Sequence, residues 1–219
     1  MAKYLKEFDI YDVTGGIHNP MLNNQSRCVV GLFEKKFGKL ETTHKIRKIN
    51  IILTNEFKGL ELMCGDGTAD IQMIYDVTNY YSSDNETKKK LILDIIRKGY
   101  ERVVKLLKLP RDNFDKAYTA VQEANFLNSW TWGKPKSNPT KSYYAKIFCK
   151  HELERFSIYL IILDSSKKET KKIKLIDEVP NEFIFAKYFG SLEWISDDTV
   201  SFTSKDESIV WTYNTKKMF

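Results

Sequence analysis

The chain is poor in cysteine, proline and long apolar runs. Its three cysteines, Cys28, Cys64 and Cys149, are an odd number with no close pair. That excludes a disulfide framework and points to a reducing compartment. The longest apolar run, Ile158 to Leu163, is far too short to span a bilayer. The first residues, Met1 to Glu7, contain no apolar h-region, so no secretory signal is expected. Together these absences predict a cytoplasmic protein with no membrane partner. Histidine is also scarce, with three in 219 residues. No P-loop, nucleophile elbow or metal-ligand spacing is present. Gly65-Asp66-Gly67 lacks the lysine and the following helix of a phosphate loop, and it reads as a turn. Cys149 and His151 would share a strand face, but no further ligands are spaced to join them. No catalytic residue, cofactor site or metal site is therefore assigned. Cys64 and Cys149 read as core filler.

What is abundant is charge and aromatics. Lys and Arg number 35 against 29 Asp and Glu, a net of +6. So mild an excess, spread over many lysines, reads first as a solvated surface and second as a nucleic-acid footprint. Trp130, Trp132, Tyr143 and Tyr144 lie among Lys134, Lys136, Lys141 and Lys146, a mixture that could stack bases and neutralise phosphates. The simpler reading is a loop whose aromatics plug the end of the core.

The segment Ser83 to Leu127 organises the pattern. Ser83-Asp84-Asn85-Glu86 has the form of a capping box. Ile92, Ile95, Ile96, Tyr100, Val103, Leu106 and Leu107 then recur on one half of a helical wheel until Pro110. Gly99 sits in that apolar half, which suggests a close backbone approach. A second helix is expected after Asp112, with Phe114, Ala117, Tyr118 and Val121 inward. The short link predicts an antiparallel helical hairpin.

Strands are expected on both sides. Phe8 to Tyr11, Cys28 to Phe33 and Ile49 to Leu53 read as strands, with loop over Asn19 to Asn24. Leu60 to Cys64 and Ile71 to Tyr75 form a hairpin about the Gly-Asp-Gly turn. Later come Tyr143 to Cys149, Phe156 to Leu163, Ile173 to Ile176, and a closing meander of Leu192 to Ile195, Val200 to Phe202 and Ile209 to Tyr213. Phe183 to Phe189 is ambiguous between strand and helix. The expected fold is α+β: antiparallel β-meanders flanking a central antiparallel helical hairpin, in a single domain over residues 1–219 with a possible sub-division near 133–141.

One arrangement is familiar. Leu91 to Val104 forms a helix after the tyrosine-bearing segment Tyr75-Asp76-Val77-Thr78-Asn79-Tyr80-Tyr81; a second helix carries Ala117-Tyr118, and the chain closes on Leu192 to Val200. This layout resembles bacterial α+β proteins of the immunity type found in polymorphic toxin systems. The resemblance implies a small, cytoplasmic, non-catalytic protein that blocks one toxin domain. It carries no signature motif and transfers no functional residue. The expected function is accordingly a protein-binding module, an immunity or inhibitor protein. The alternative is a nucleic-acid-binding protein, or an enzyme whose site no motif marks. Candidate partner-binding residues are the loop-borne aromatics Tyr80 and Tyr81, adjacent and pointing oppositely if extended, and Trp130 and Trp132, which would point the same way.

Overall fold

A computed structural model describes residues 4–42 and 44–217. Both helices and strands are present, in several sheets. The chain divides into two compact units, Met1–Asn128 and Ser129–Phe219. The division falls ahead of residues 133–141, where the sequence had suggested it.

The first unit is a mixed sheet covered on one face by helices. β1 (Tyr4–Leu5) pairs with β3 (Leu40–Glu41) as a small ribbon. The main sheet has the order β2 (Glu7–Asp12), β4 (Lys48–Thr54), β6 (Thr68–Ile74), β5 (Leu62–Gly65). β2, β4 and β6 are parallel, and β5 closes antiparallel on β6. The Gly-Asp-Gly hairpin forms as expected, with Asp66 and Gly67 both at positive φ.

Between β2 and β4 runs α1 (Pro20–Phe37). This corrects the sequence reading, which placed a loop over Asn19 to Asn24 and a strand over Cys28 to Phe33. Asn19 caps the helix by accepting from Met21 N–H, and Pro20 occupies the first turn, where its missing donor costs nothing. Leu22, Val29, Val30, Phe33 and Phe37 are buried along one face. The N-terminal sheet is therefore not an antiparallel meander. It contains a parallel β–α–β unit, and parallel strands need such a crossover.

α2 (Thr78–Ser82), α3 (Asn85–Leu107) and α4 (Asp112–Glu123) follow. α3 starts one residue later than the capping box implied. Asp84 is the N-cap and accepts from Thr87 N–H, while Ser83 Oγ donates to Asn79 O. The two long helices touch through Tyr100 and Phe114, stacked at 4.4 Å, and Tyr100 OH donates to Pro110 O. They do not form an isolated central hairpin. α1 packs against both, so the helical layer has three members. Ile92, Ile96 and Val103 are buried as expected, whereas Leu106 is exposed and Leu107 half-buried. Gly99 faces Ile51 of β4 so closely that a Cβ would lie 2.6 Å from Ile51 Cδ1.

The second unit is built from antiparallel strands. β7 (Asn128–Ser137), β8 (Tyr143–His151), β9 (Phe156–Asp164) and β10 (Glu169–Glu178) form one sheet in the order β10-β9-β8-β7. Residues 133–137, expected as loop, belong to the edge strand β7. α5 (Glu182–Phe185) and a 3-10 turn resolve the ambiguous segment. β11 (Ser191–Trp194), β12 (Thr199–Thr203) and β13 (Val210–Asn214) make the closing meander. Ala145, Ile147, Cys149, Phe156, Ile158, Leu160, Ile162, Val200 and Phe202 form its core. Phe156 stacks on Phe185 with ring centroids 3.6 Å apart.

Candidate functional site

In open α/β sheets, ligands bind outside the carboxyl ends of the parallel strands. In the first unit that end is where β2 stops at Asp12 and turns through Val13 to Asn19 into α1. Asp12 is buried. Its carboxylate accepts from Tyr81 OH at 2.6 Å, from Thr14 Oγ1 at 2.7 Å and from Thr14 N–H at 3.0 Å. Asn19 Nδ2 in turn donates to Tyr81 OH at 2.9 Å. Tyr80 OH donates to Gln25 Oε1 at 2.8 Å. Side chains from β2, the loop and α2 thus converge in one hydrogen-bonded network, and the Tyr80–Gln25 bond separately ties α2 to α1.

The network is saturated. Burial acts to raise the Asp12 pKa, but the bonds from Tyr81 and Thr14 outweigh it and hold the carboxyl below its ordinary value. Burial, and then the bond to Asp12, push the Tyr81 phenol up, so it stays protonated. An ionised acceptor with its donors in place and a phenol locked as a donor supply neither a general base nor a nucleophile. They act as a strut that fixes α2 against β2 and the start of α1.

Apolar side chains are exposed at this end of the sheet. Ile17 in the β2–α1 loop is 82% exposed and Leu60, beyond β4, is 71% exposed. Met21 in the first turn of α1, Phe57 beyond β4 and Ile74 at the end of β6 are also exposed. The loop carrying Leu60 is held in place by Gln72. Gln72 Oε1 accepts from Lys58 N–H, and its Nε2 donates to the carbonyls of Lys58 and Leu60. Asn55 Nδ2 donates to Thr14 O at 2.7 Å, tying the ends of β4 and β2 together. The loop carrying Leu60 and the start of the β2–α1 loop are therefore each tied to the sheet.

The face of the sheet turned away from the helices is polar. Lys48 Nζ contacts Asp9, and Tyr11 OH donates to the same carboxylate at 3.3 Å. Burial acts to lower the Lys48 pKa, but its pairing with Asp9 outweighs it and the ammonium is held above its ordinary value. Burial first, and Asp9 second, raise Tyr11. From α1, Arg27 donates to Phe8 O at 2.8 Å and Asp9 Oδ1 at 3.0 Å, and Glu34 accepts from Phe8 N–H at 2.8 Å. These contacts close the free edge of β2 with side chains.

The four aromatics singled out in the sequence are divided between the units. Tyr80 and Tyr81 sit in the helical turn α2, not in an extended segment. Tyr80 is fully buried, its ring 5.3 Å from that of Tyr81, which is half-buried. Trp130 and Trp132 do share one face of β7. That face packs on the second unit's core, Trp130 against Phe156 and Trp132 against Phe189 and Phe202. Asp12, Asn19, Ile17 and Leu60 were not identified from the sequence. The Asn19-Pro20 helix start was the signal for Asn19, and the other three carry none.

Cys28 and Cys149 are buried, whereas Cys64, expected in the core, is exposed on the edge strand β5. His151 is buried at the end of β8, its ring edge-on to Phe156 and Phe185, with Nε2 3.1 Å from Pro180 O. Among the described residues no three His, Cys, Asp or Glu side chains converge as metal ligands. No helix among the described residues is long and apolar enough to cross a membrane. A cleft of about 240 Å³ in the second unit, lined by Trp132, Lys134, Lys136 and Glu193, is smaller than the roughly 300–1,000 Å³ of small-molecule sites. No family model, curated protein or solved structure matches the chain.

Proposed function

We propose that the chain is a non-catalytic protein-binding module of the immunity or inhibitor class, acting in the cytoplasm on a toxin domain through the carboxyl end of the first unit's sheet. The observation that carries this reading is the set of exposed apolar side chains Ile17, Met21, Phe57, Leu60 and Ile74 at the end of the sheet where the Asp12–Tyr81 network ties α2 to β2. Protein interfaces draw their affinity from a few apolar anchors held in place before binding. Exposed apolar side chains gathered at one end of a sheet mark such a surface. Tyr81, half-buried, bonds to Asp12 and Asn19, which bracket the loop carrying Ile17.

Co-expression tests the reading. The chain is expressed with the toxin domain encoded beside it, and growth is followed. The intact protein protects. An Ile17→Asp/Leu60→Asp variant with an unchanged melting temperature does not, because a charge at each anchor must be desolvated on binding. Equal protection by the variant moves the interface elsewhere. Absence of protection by the intact chain overturns the immunity reading.

A further inference from the structure

The second unit carries a surface that the protein-binding reading does not use. In β8, Ala145, Ile147 and Cys149 point into the core, so Tyr144, Lys146, Phe148 and Lys150 alternate onto the opposite face. Register places Tyr159 of β9 beside Phe148, and Ile161 beside Lys146. Across the other side of β9, Lys172 of β10 pairs with Ile161 and Lys174 with Tyr159. The rings of Phe148 and Tyr159 lie 6.3 Å apart. Lys172 Nζ sits over both, 4.9 Å from the Phe148 centroid and 4.5 Å from that of Tyr159. Lys167, in the β9–β10 turn, sits 5.6 Å over the Tyr144 ring. All three residues are half-buried. The carboxylates near this face lie towards its ends. Asp177 is paired with Lys174 at 2.8 Å, Glu152 with Lys150 at 2.8 Å, and Glu169 stands by the turn, opposite Leu163.

We propose that this face binds single-stranded nucleic acid, with Tyr144, Phe148 and Tyr159 as stacking rings and Lys146, Lys167 and Lys172 as phosphate contacts. The ring faces that now hold ammonium groups are electron-rich, and what covers them is flexible lysine side chains. A base can take the place of the ammonium, and the flexible lysine then reaches the adjoining phosphate. Bases within a duplex are stacked on one another and offer no face to a ring, so the strand must be single. An acidic peptide would satisfy the lysines but leave three rings unused. The surface is separate from the exposed apolar side chains of the first unit, and the two readings stand or fall separately.

The test is fluorescence anisotropy of the full chain with labelled oligo-dU and oligo-rU, which share phosphates and bases and differ in sugar. Three phosphate contacts on a single strand give a salt slope of about 2, so Kd rises about 20-fold between 50 and 200 mM salt. Phe148→Leu/Tyr159→Leu weakens binding at least about tenfold with the slope unchanged. Lys146→Gln/Lys172→Gln flattens the slope by about 1.4. Binding of either oligonucleotide with this pattern supports the proposal, and the ratio of the two names the preferred sugar. The lysine pair tests the proposal even if the ring variant does not fold. No binding at 50 mM salt overturns it, as does equal affinity for duplex. Displacement by polyglutamate as readily as by unlabelled oligonucleotide also overturns it, assigning the face to an acidic protein.

Discussion

At the residue scale, Asp12 and Gly99 show what single positions hold in place. The folded state keeps the Asp12 carboxyl below its ordinary value. That stabilisation is present above the unfolded carboxyl's titration, near about pH 4, and is lost as pH falls through the folded value. Tyr81→Phe removes the strongest donor and leaves a buried acceptor short of a partner, at a cost of about 1–3 kcal/mol. Urea denaturation should show that loss in full at pH 7, with the gap to the parent protein closing in acid. A gap independent of pH would mean that Tyr81 acts by packing alone. Gly99→Ala gains about 1 kcal/mol of helix propensity. It also drives a methyl into Ile51, and overpacking of that kind costs about 1–3 kcal/mol. The variant should be destabilised on balance, and adding Ile51→Ala should make the two changes strongly non-additive. Gly99 was legible as a close approach because glycine in an apolar helical stripe has few other uses. Asp12 was not, because Tyr81, the donor that ties it to α2, lies 69 residues away in sequence.

At the scale of elements, α1 marks the limit of what periodicity reveals. Cys28 to Phe33 is a continuous apolar run that fits a buried strand or a buried helix equally well. The decision lay outside the run, in Asn19 and Pro20, which have the form of a cap and first turn. α1 supplies the crossover that lets β2 and β4 pair in parallel, and the whole first sheet changes character. The second unit was more legible. Its strands follow one another in antiparallel order, and local turns announce each reversal. β9 is apolar on both faces and is internal, flanked by β8 and β10. The edge of β2 carries its own protection, since Arg27 and Glu34 occupy the carbonyl and amide of Phe8. Uncovered edges pair with other chains. Arg27→Met/Glu34→Leu should therefore raise self-association, read as concentration-dependent light scattering. A variant that stays monomeric at high concentration would show that the edge needs no such cover. On the opposite edge of the sheet, Cys64 is exposed but its thiol is pushed up by burial and by Asp70. In the native protein a thiol reagent should label Cys64 first and slowly at neutral pH, with Cys28 and Cys149 labelled only on denaturation. Simultaneous labelling of all three would contradict their burial.

At the scale of the molecule, each unit has its own core. Phe8, Phe33, Phe37, Tyr100 and Phe114 interlock in the first, and Phe156, Phe185, Phe189 and Phe202 line the second. Residues 1–128 expressed alone should give a cooperative thermal transition, because a chain of that size buries enough apolar surface to fold. A broad, non-cooperative melt would show that the division is one of shape only. The parallel ladder of the first unit has a further consequence, in time. Glu7 pairs with Lys48 across the whole of α1, whereas His151 pairs with Phe156 across a tight turn. Distant pairings must first close a long loop of chain, so they form slowly. The ribosome releases the slow unit first and the fast one last. A nascent chain halted after β2 and α1 exposes Phe8, Phe33 and Phe37 with no sheet to receive them. It is at that stage, before β4 emerges, that a chaperone would find the most to hold.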